Sequence, residues 1–330
     1  MFSNKPFIVA EMSANHLGSL DRALRIVDAA ADAGADAVKI QTFTPSQMVG
    51  NPDYIIPGGP WHGRRLLSLY EEAHTPREWH KPIFDRCKEQ GIVGFSTPFH
   101  LDDVAFLETL DCPIYKISSF EINDHELIKA CAKTGRTLII SAGMATAEEI
   151  CKAVAATKRR WDEHIIVLKC TSAYPADASN ANLATMTRIA GLSGLSDHTP
   201  GIGVAVAAAA LGATVIEKHL TLCRANGGPD AEFSMEPDEF AQMVVECRRA
   251  AASIGKVTFG PSASEKSSLE LRRSLWFAQA LPEGTVIQRS HLKSARPALG
   301  LSPSRLTSIL GKKVKQLLLA GDPVTDDVIS

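Results

Sequence analysis

The feature that most constrains this chain is an alternation. Short runs rich in valine and isoleucine occur at residues 7–11, 37–42, 92–97, 114–118, 137–141, 165–170, 191–196 and 214–218. Short apolar runs bounded by turn residues suit strands buried on both faces, as in a parallel sheet. Between them lie amphipathic stretches of helical period, at 19–33, 75–90, 102–110, 124–133 and 146–158. Two of these carry helix-start chemistry: Thr75-Pro76 places a proline in a first turn, and Thr146 with Glu149 has the spacing of a capping box. Eight strand-like runs, most followed by a helix, in about 260 residues predict an α/β fold, the (β/α)8 or TIM barrel. A doubly wound sheet would want fewer strands and a glycine-rich fingerprint after the first. Met12-Ser13-Ala14-Asn15-His16-Leu17-Gly18 stands there instead.

The barrel accounts for residues 1–261. Residues 262–273 are polar, rich in Ser, Glu and Lys, and read as a linker; 274–330 breaks into short strand-like pieces separated by turn residues. A stretch of about 57 residues is small for an independent core, so this tail is expected to pack on the barrel or on a partner subunit. Residues 45–74, with Gly58-Gly59-Pro60-Trp61, read as a largely irregular loop after the second strand. A loop that long on the C-terminal face of a barrel points to function.

Composition narrows the partners. Thirty-five Lys+Arg against 37 Asp+Glu leave a formal net charge of -2, so no broad cationic surface is expected for nucleic acid or an anionic membrane. The seven cysteines are scattered, without a C-x-x-C pair, which argues for a reducing compartment and against a disulfide framework or structural zinc. The start lacks a charged region followed by a long apolar one. The uncharged stretch 200–216 is broken by glycines and too short to span a bilayer. A cytoplasmic protein is expected.

Residues able to handle charge stand at or just past the end of nearly every strand: Glu11, Lys39 with Gln41, Thr97, Lys116 with Ser119 and Glu121, Ser141, Lys169 with Tyr174, Ser196 with His198, and Lys218 with His219. In a barrel these positions converge on one mouth. Lysines and hydroxyls gathered there suit a phosphorylated or carboxylated substrate. His198 and His219 are one βα unit apart, so they would sit on adjacent strand ends and could share a divalent metal, with substrate oxygens and water completing its shell; Mn²⁺ suits that set better than structural zinc. Asp197 is expected to orient one of these ligands. Plainer readings stand beside these: a histidine near a strand end can be a satisfied core residue, and a lysine inside an apolar strand can be a structural ion pair.

The motifs together resemble the sialic acid synthase family, and within it the pseudaminic acid synthase branch. They include FIVAEMSANHLGSL (7–20), AGADAVKIQTF (33–43), PIYKISSFEI (113–122), LKCTSAYPA (168–176), GLSDHTPGI (194–202), IEKHLTL (216–222) and GGPDAEFSMEPDEF (227–240). The resemblance runs the whole length and includes a C-terminal antifreeze-like (SAF) domain at 274–330. It implies a transferase that condenses phosphoenolpyruvate with an open-chain amino sugar and water, giving a nine-carbon 2-keto acid and phosphate. The branch implies 2,4-diacetamido-2,4,6-trideoxy-L-altrose as acceptor. The alternatives are an N-acetylneuraminate or legionaminate synthase, or a non-catalytic surface-polysaccharide protein on the same fold. Carried over position by position, Lys39, Thr97, Lys116, Ser119, Ser141 and Ser196 would hold phosphoenolpyruvate. His198 and His219 would ligate the metal (Mn²⁺ or Mg²⁺, with Co²⁺ a further choice). Glu11 and Glu121 would be the catalytic carboxylates, and Gln41, Tyr174, Asp230 and Arg296 would face the sugar. Arg296 would come from the other subunit of a domain-swapped homodimer.

Overall fold

The computed structural model describes residues 5–159, 164–188 and 192–330. Eight parallel strands close into a barrel: β1 (Phe7–Glu11), β2 (Ala37–Thr42), β3 (Val93–Pro98), β4 (Ile114–Ile117), β5 (Thr137–Ser141), β6 (Ile165–Cys170), β7 (Leu192–Asp197) and β8 (Val215–His219), with β8 pairing back onto β1. These fall within a residue of the expected runs, though Gly191 lies outside the described residues. The helices are α1 (Leu20–Asp32), α2 (Leu66–Ala73), α3 (Arg77–Glu89), α4 (Leu101–Glu108), α5 (His125–Lys133), α6 (Ala147–Ala156), α7 (Gly203–Ala210) and α8 (Pro237–Ile254). Among the described residues no helix is long and apolar enough to cross a membrane.

Local chemistry explains the helix boundaries. In α6 the Thr146 hydroxyl accepts from Glu149 N at 3.2 Å and Glu149 accepts from Thr146 N at 2.7 Å, a closed capping box contributing about 1 kcal/mol. In α1, Ser19 caps the first turn, and Ala23, Ile26, Val27 and Ala30 form the buried i, i+3, i+4, i+7 stripe against the barrel. Pro76 sits one position earlier than expected, as the residue capping α3 rather than inside its first turn. Residues 45–74 are more ordered than expected: they hold a 3₁₀ turn at Pro45–Gln47, a bridge between Ile55 and Arg65, and the two turns of α2.

The chain divides after Gly255, and the second unit runs from Lys256 to Ser330. Within the segment expected as a linker, Ala263–Leu271 forms a 3₁₀ run. Strands β9 (Ser274–Phe277) and β10 (Leu292–Ala295) pair antiparallel. This unit does build a core of its own, from Leu275, Phe277, Ile287, Ile309, Leu318 and Val324 among others.

Between sheet and helix layer lies a chain of polar groups with a consequence for acid stability. His80 of α3 is fully buried, its Nε2 lies 2.7 Å from Thr42 Oγ1, and Ser96 Oγ lies 2.6 Å further on. Its Nδ1 is 3.1 Å from the Pro76 carbonyl. A carbonyl only accepts, so Nδ1 carries the proton and Nε2 accepts from the Thr42 hydroxyl. Burial pushes the His80 imidazole down to about 4. The native pKa therefore lies below the unfolded value of about 6.5, and the unfolded chain protonates first as pH falls. The stabilisation is fully present above pH 6.5 and is lost as pH falls towards 4, by about 3 kcal/mol. Urea unfolding at pH 7.5 and 4.5 measures this loss, and His80→Gln should flatten the dependence. An unchanged slope in that variant assigns the loss to other groups.

Candidate active site

A strand points alternate residues to opposite faces, and that rule sorts the polar rim. Glu11, Lys39, Gln41, Lys116, Ser141, Cys170, Ser196, Glu217 and His219 face inward and line one cavity of about 380 Å³ at the C-terminal mouth of the barrel. Lys169, Asp197 and Lys218 stand at the alternate positions. Lys218 is buried against Asp197 at 2.6 Å and also donates to the Thr199 carbonyl. The Lys169 ammonium donates to the Cys170 carbonyl at 2.8 Å. Asp197 thus neutralises Lys218 and, among the described residues, accepts from Thr199 rather than from a histidine, contrary to expectation.

The barrel register builds the charged floor. Glu11 pairs with Lys39 on one side and with His219 on the other, and Ser196 pairs with Glu217. Lys39 Nζ lies 2.8 Å from Glu11 and 3.7 Å from Glu217, and donates to Thr97 Oγ1 at 3.1 Å. Lys116 Nζ lies 3.4 Å from the same Glu217 oxygen, which also accepts from Ser196 Oγ at 3.0 Å. Two ammoniums and two carboxylates are held here almost out of water, with Lys116 only 2% exposed. Burial pushes the Glu11 carboxyl up to about 7 against the pull of Lys39. Burial also acts to raise Glu217, but Lys116, Lys39 and the Ser196 hydroxyl outweigh it and hold that carboxyl down at about 2. Burial lowers Lys116, only partly offset by Glu217. For Lys39 the two carboxylates win over burial and raise it.

The hydroxyls stand around this floor. The Ser119 hydroxyl accepts from Gly143 N at 2.9 Å, and a Cβ at Gly143 would collide with the hydroxyls of Ser119 and Ser172. Only glycine lets the chain pass so close. Ser141 Oγ is buried with no hydrogen-bond partner among the described residues, an unspent donor facing the cavity.

The histidines stand together, ring centroids 5.3 Å apart. His198 Nδ1 is 3.0 Å from the Thr171 carbonyl, which fixes the proton there and leaves Nε2 unprotonated in the neutral ring. Burial drives His219 well below its ordinary pKa, so its imidazole is neutral; its Nδ1 is buried without a hydrogen-bond partner among the described residues. Burial acts to lower His198, but Cys170 and the Thr171 carbonyl outweigh it and raise its pKa, so this pair fits a divalent metal with His198 giving up its second proton on binding. Among the described residues no group of three or more His, Cys, Asp or Glu side chains is arranged to hold one, so further ligands would come from substrate or water. Phe233 and Tyr174 wall this pair, Tyr174 lying 4.3 Å from His198 between ring centroids and Phe233 5.0 Å from His219.

On the same carboxylate as Lys39, Gln41 Nε2 donates to Glu11 at 3.3 Å, and it also donates to Ser13 Oγ at 3.0 Å. Asp230 is buried and accepts from Ala14 N at 3.2 Å, and burial raises its carboxyl. Glu121 lines the rim, bound by the Ser118 hydroxyl, and burial raises it too. Every first-unit site residue that the family resemblance implies therefore lines the cavity, except Thr97, which stands one step behind Lys39; Lys169 and Lys218, also expected at this mouth, do not line it. Arg296 belongs to the second unit, exposed just after β10. Sequence reasoning missed Glu217, which joins both lysines, and Cys170, whose Sγ lies 3.9 Å from His198 Nδ1.

An eight-stranded parallel barrel whose mouth buries two lysines, a ring of hydroxyls and two imidazoles around one cavity defines a barrel enzyme for an anionic substrate. The chain belongs to the NeuB family, whose model matches residues 26–259, and a SAF domain follows at 272–329. It is 40% identical over 329 residues to a pseudaminic acid synthase of Campylobacter jejuni subsp. jejuni serotype O:23/36, covering 98% of this chain and 96% of that one. An N,N'-diacetyllegionaminic acid synthase of C. jejuni serotype O:2 is 34% identical, with 93% and 95% covered. Among solved structures, N-acetylneuraminic acid synthetase from Leptospira borgpetersenii in complex with citrate superposes with a TM-score of 0.73 at 34% identity, over 81% of this chain and 92% of that one.

Proposed function

We propose that this chain is a pseudaminic acid synthase, joining phosphoenolpyruvate to 2,4-diacetamido-2,4,6-trideoxy-L-altrose with uptake of water and release of phosphate. The observation that carries the reading is the gathering of Lys39, Lys116, His198 and His219 on one cavity. Two buried ammoniums with Ser119, Ser141 and Ser196 suit a ligand bearing both a carboxylate and a phosphate, while one cation alone would serve a simpler anion.

The residues divide the work by position. Lys39 and Lys116, steadied by Thr97 and Glu217, hold the negative charge of phosphoenolpyruvate and keep it held as the C–O bond to phosphate breaks. Its C3 bonds to the aldehyde carbon of the open-chain sugar, the new alkoxide takes a proton, and water adds to the electron-poor C2. Glu11, at about 7, can hold or release a proton near neutrality. Glu121 at the rim is the second carboxylate able to orient water. Gln41, Tyr174 and Asp230 face the sugar. His198 and His219 would hold a divalent ion such as Mn²⁺ or Mg²⁺, which supplies Lewis-acid polarisation of the acceptor carbonyl when bound. Arg296 would serve the sugar from the SAF unit of a second copy in a domain-swapped homodimer, and the reaction belongs in the cytoplasm, where phosphoenolpyruvate is made.

The test is phosphate release with phosphoenolpyruvate, Mn²⁺ and three acceptors in parallel: the L-altrose derivative and the acceptors of legionaminate and N-acetylneuraminate synthases. The L-altrose derivative should lead by roughly tenfold or more in kcat/KM, the scale of discrimination a shaped pocket supplies. Another acceptor in the lead reassigns the substrate. Silence with all three favours a non-catalytic role.

A further inference from the structure

The cavity has two unlike halves, and the second is unexplained by phosphoenolpyruvate or by metal. Strand ends supply the charged floor. The facing wall comes from the segment between β2 and α3: Met48, Ile56, Pro57, Leu66 and Leu69 line it, joined by Phe99 after β3. This wall is built. Leu66 N donates to the Tyr54 carbonyl at 3.0 Å, Ile56 N to the Arg64 carbonyl at 2.9 Å, and Gly63 N to the Ile56 carbonyl at 2.9 Å. Arg65 pairs with Asp53 at 2.9 Å. Across the mouth, Trp61 Nε1 donates to the Pro229 carbonyl at 2.8 Å while its ring meets Tyr174 at 5.5 Å, so the segment is fastened to the loop after β8.

We infer that this wall is the specificity-determining subsite for the deoxygenated end of the acceptor, packing the C6 methyl group and rejecting a C6 hydroxyl. The inference rests on the proposed function and deepens it. The geometry follows from the chemistry. The acceptor's C1 must meet the enol carbon, which the lysines fix at the floor. An open six-carbon chain held there by one end carries C6 away from the floor, towards the mouth. What waits on the segment side is mainly apolar, aliphatic side chains joined by the rings of Tyr54, Trp61 and Tyr70. A methyl group gains by leaving water for such a surface, whereas a hydroxyl loses water partners that so apolar a face replaces poorly. Discrimination of this kind is bounded: an apolar pocket separates a group from its hydroxylated counterpart by roughly tenfold to a hundredfold.

The experiment uses the full chain with phosphoenolpyruvate, Mn²⁺ and two acceptors differing in one atom: the 2,4-diacetamido trideoxy sugar and the same sugar bearing a 6-hydroxyl. The wild-type protein should prefer the deoxy acceptor by about 10- to 100-fold in kcat/KM. Ile56→Asn and Leu66→Asn, at half-buried positions on the wall, should collapse that ratio towards unity, while the KM for phosphoenolpyruvate holds and Leu66→Met keeps the preference. Equal use of both acceptors by the wild type overturns the inference, as do Asn variants with an unaltered ratio or with proportional losses on both sugars. A wild type that turns over neither sugar, while using another family acceptor, refutes the proposed function itself and removes the basis of this inference with it.

Discussion

Glu217→Gln should lower the unfolding free energy by about 3 kcal/mol and make phosphoenolpyruvate a stronger stabiliser of the variant than of the wild type. Glu217 is the shared counterion of the floor, within 3.4 Å of Lys116 and 3.7 Å of Lys39. The amide keeps the shape and still accepts from Ser196, so no cavity opens and the change is one of charge. Lys39 retains Glu11 at 2.8 Å. Lys116, already pulled down by burial, loses its principal partner in the driest part of the barrel. Breaking a buried pair from one side costs about 3–5 kcal/mol, and the surviving hydrogen bonds place this case at the low end. A substrate anion then supplies Lys116 with the negative charge that the amide lacks. Binding tightened about tenfold would add about 1.4 kcal/mol to the ligand-induced stabilisation. Urea denaturation with and without phosphoenolpyruvate reads both numbers. A variant as stable as the wild type would show that Glu217 is not what holds the lysines in place.

The oversight of Glu217 shows how much of this site the sequence displays. Lys39 and Lys116 are legible because charge inside a Val/Ile run is rare and demands a reason. In Ile216-Glu217-Lys218-His219 the Lys-His pair draws the eye, yet period two puts Glu217 with His219 inside the barrel and Lys218 outside. Applied to Ser196-Asp197-His198, the same rule sends Asp197 outward to Lys218. What no local pattern could reveal is contact over long separations, such as Trp61 with Pro229. Helix α2 hides for another reason: it spans eight residues, and Arg65 provides no side-chain cap, so neither length nor start signal marks it. The second unit's core escapes notice because its apolar residues are spread singly through turns rather than in periodic runs.

His219→Ala carries the largest expected loss of activity. The imidazole is buried and neutral, stands 5.3 Å from its His198 neighbour, and has an Nδ1 with no partner among the described residues. A group so placed gives the fold little. Its removal enlarges a cavity that already exists, so stability should change by no more than about 1 kcal/mol, below the cost of opening a new hole in the core. Turnover is another matter. Lewis-acid assistance to a developing alkoxide is worth several kcal/mol, and losing one of the two imidazoles proposed to hold the ion should cut kcat on the order of 10³-fold. Excess Mn²⁺ should not restore it. The lysine floor is left intact, so the affinity for phosphoenolpyruvate should stay within about twofold, well under the 1.4 kcal/mol that a tenfold change represents. Steady-state kinetics across a metal titration, with calorimetry of Mn²⁺ and phosphoenolpyruvate binding, separates the terms. Normal turnover in the alanine variant would remove His219 from any metal site, and a matching loss of phosphoenolpyruvate affinity would place it with the anion instead.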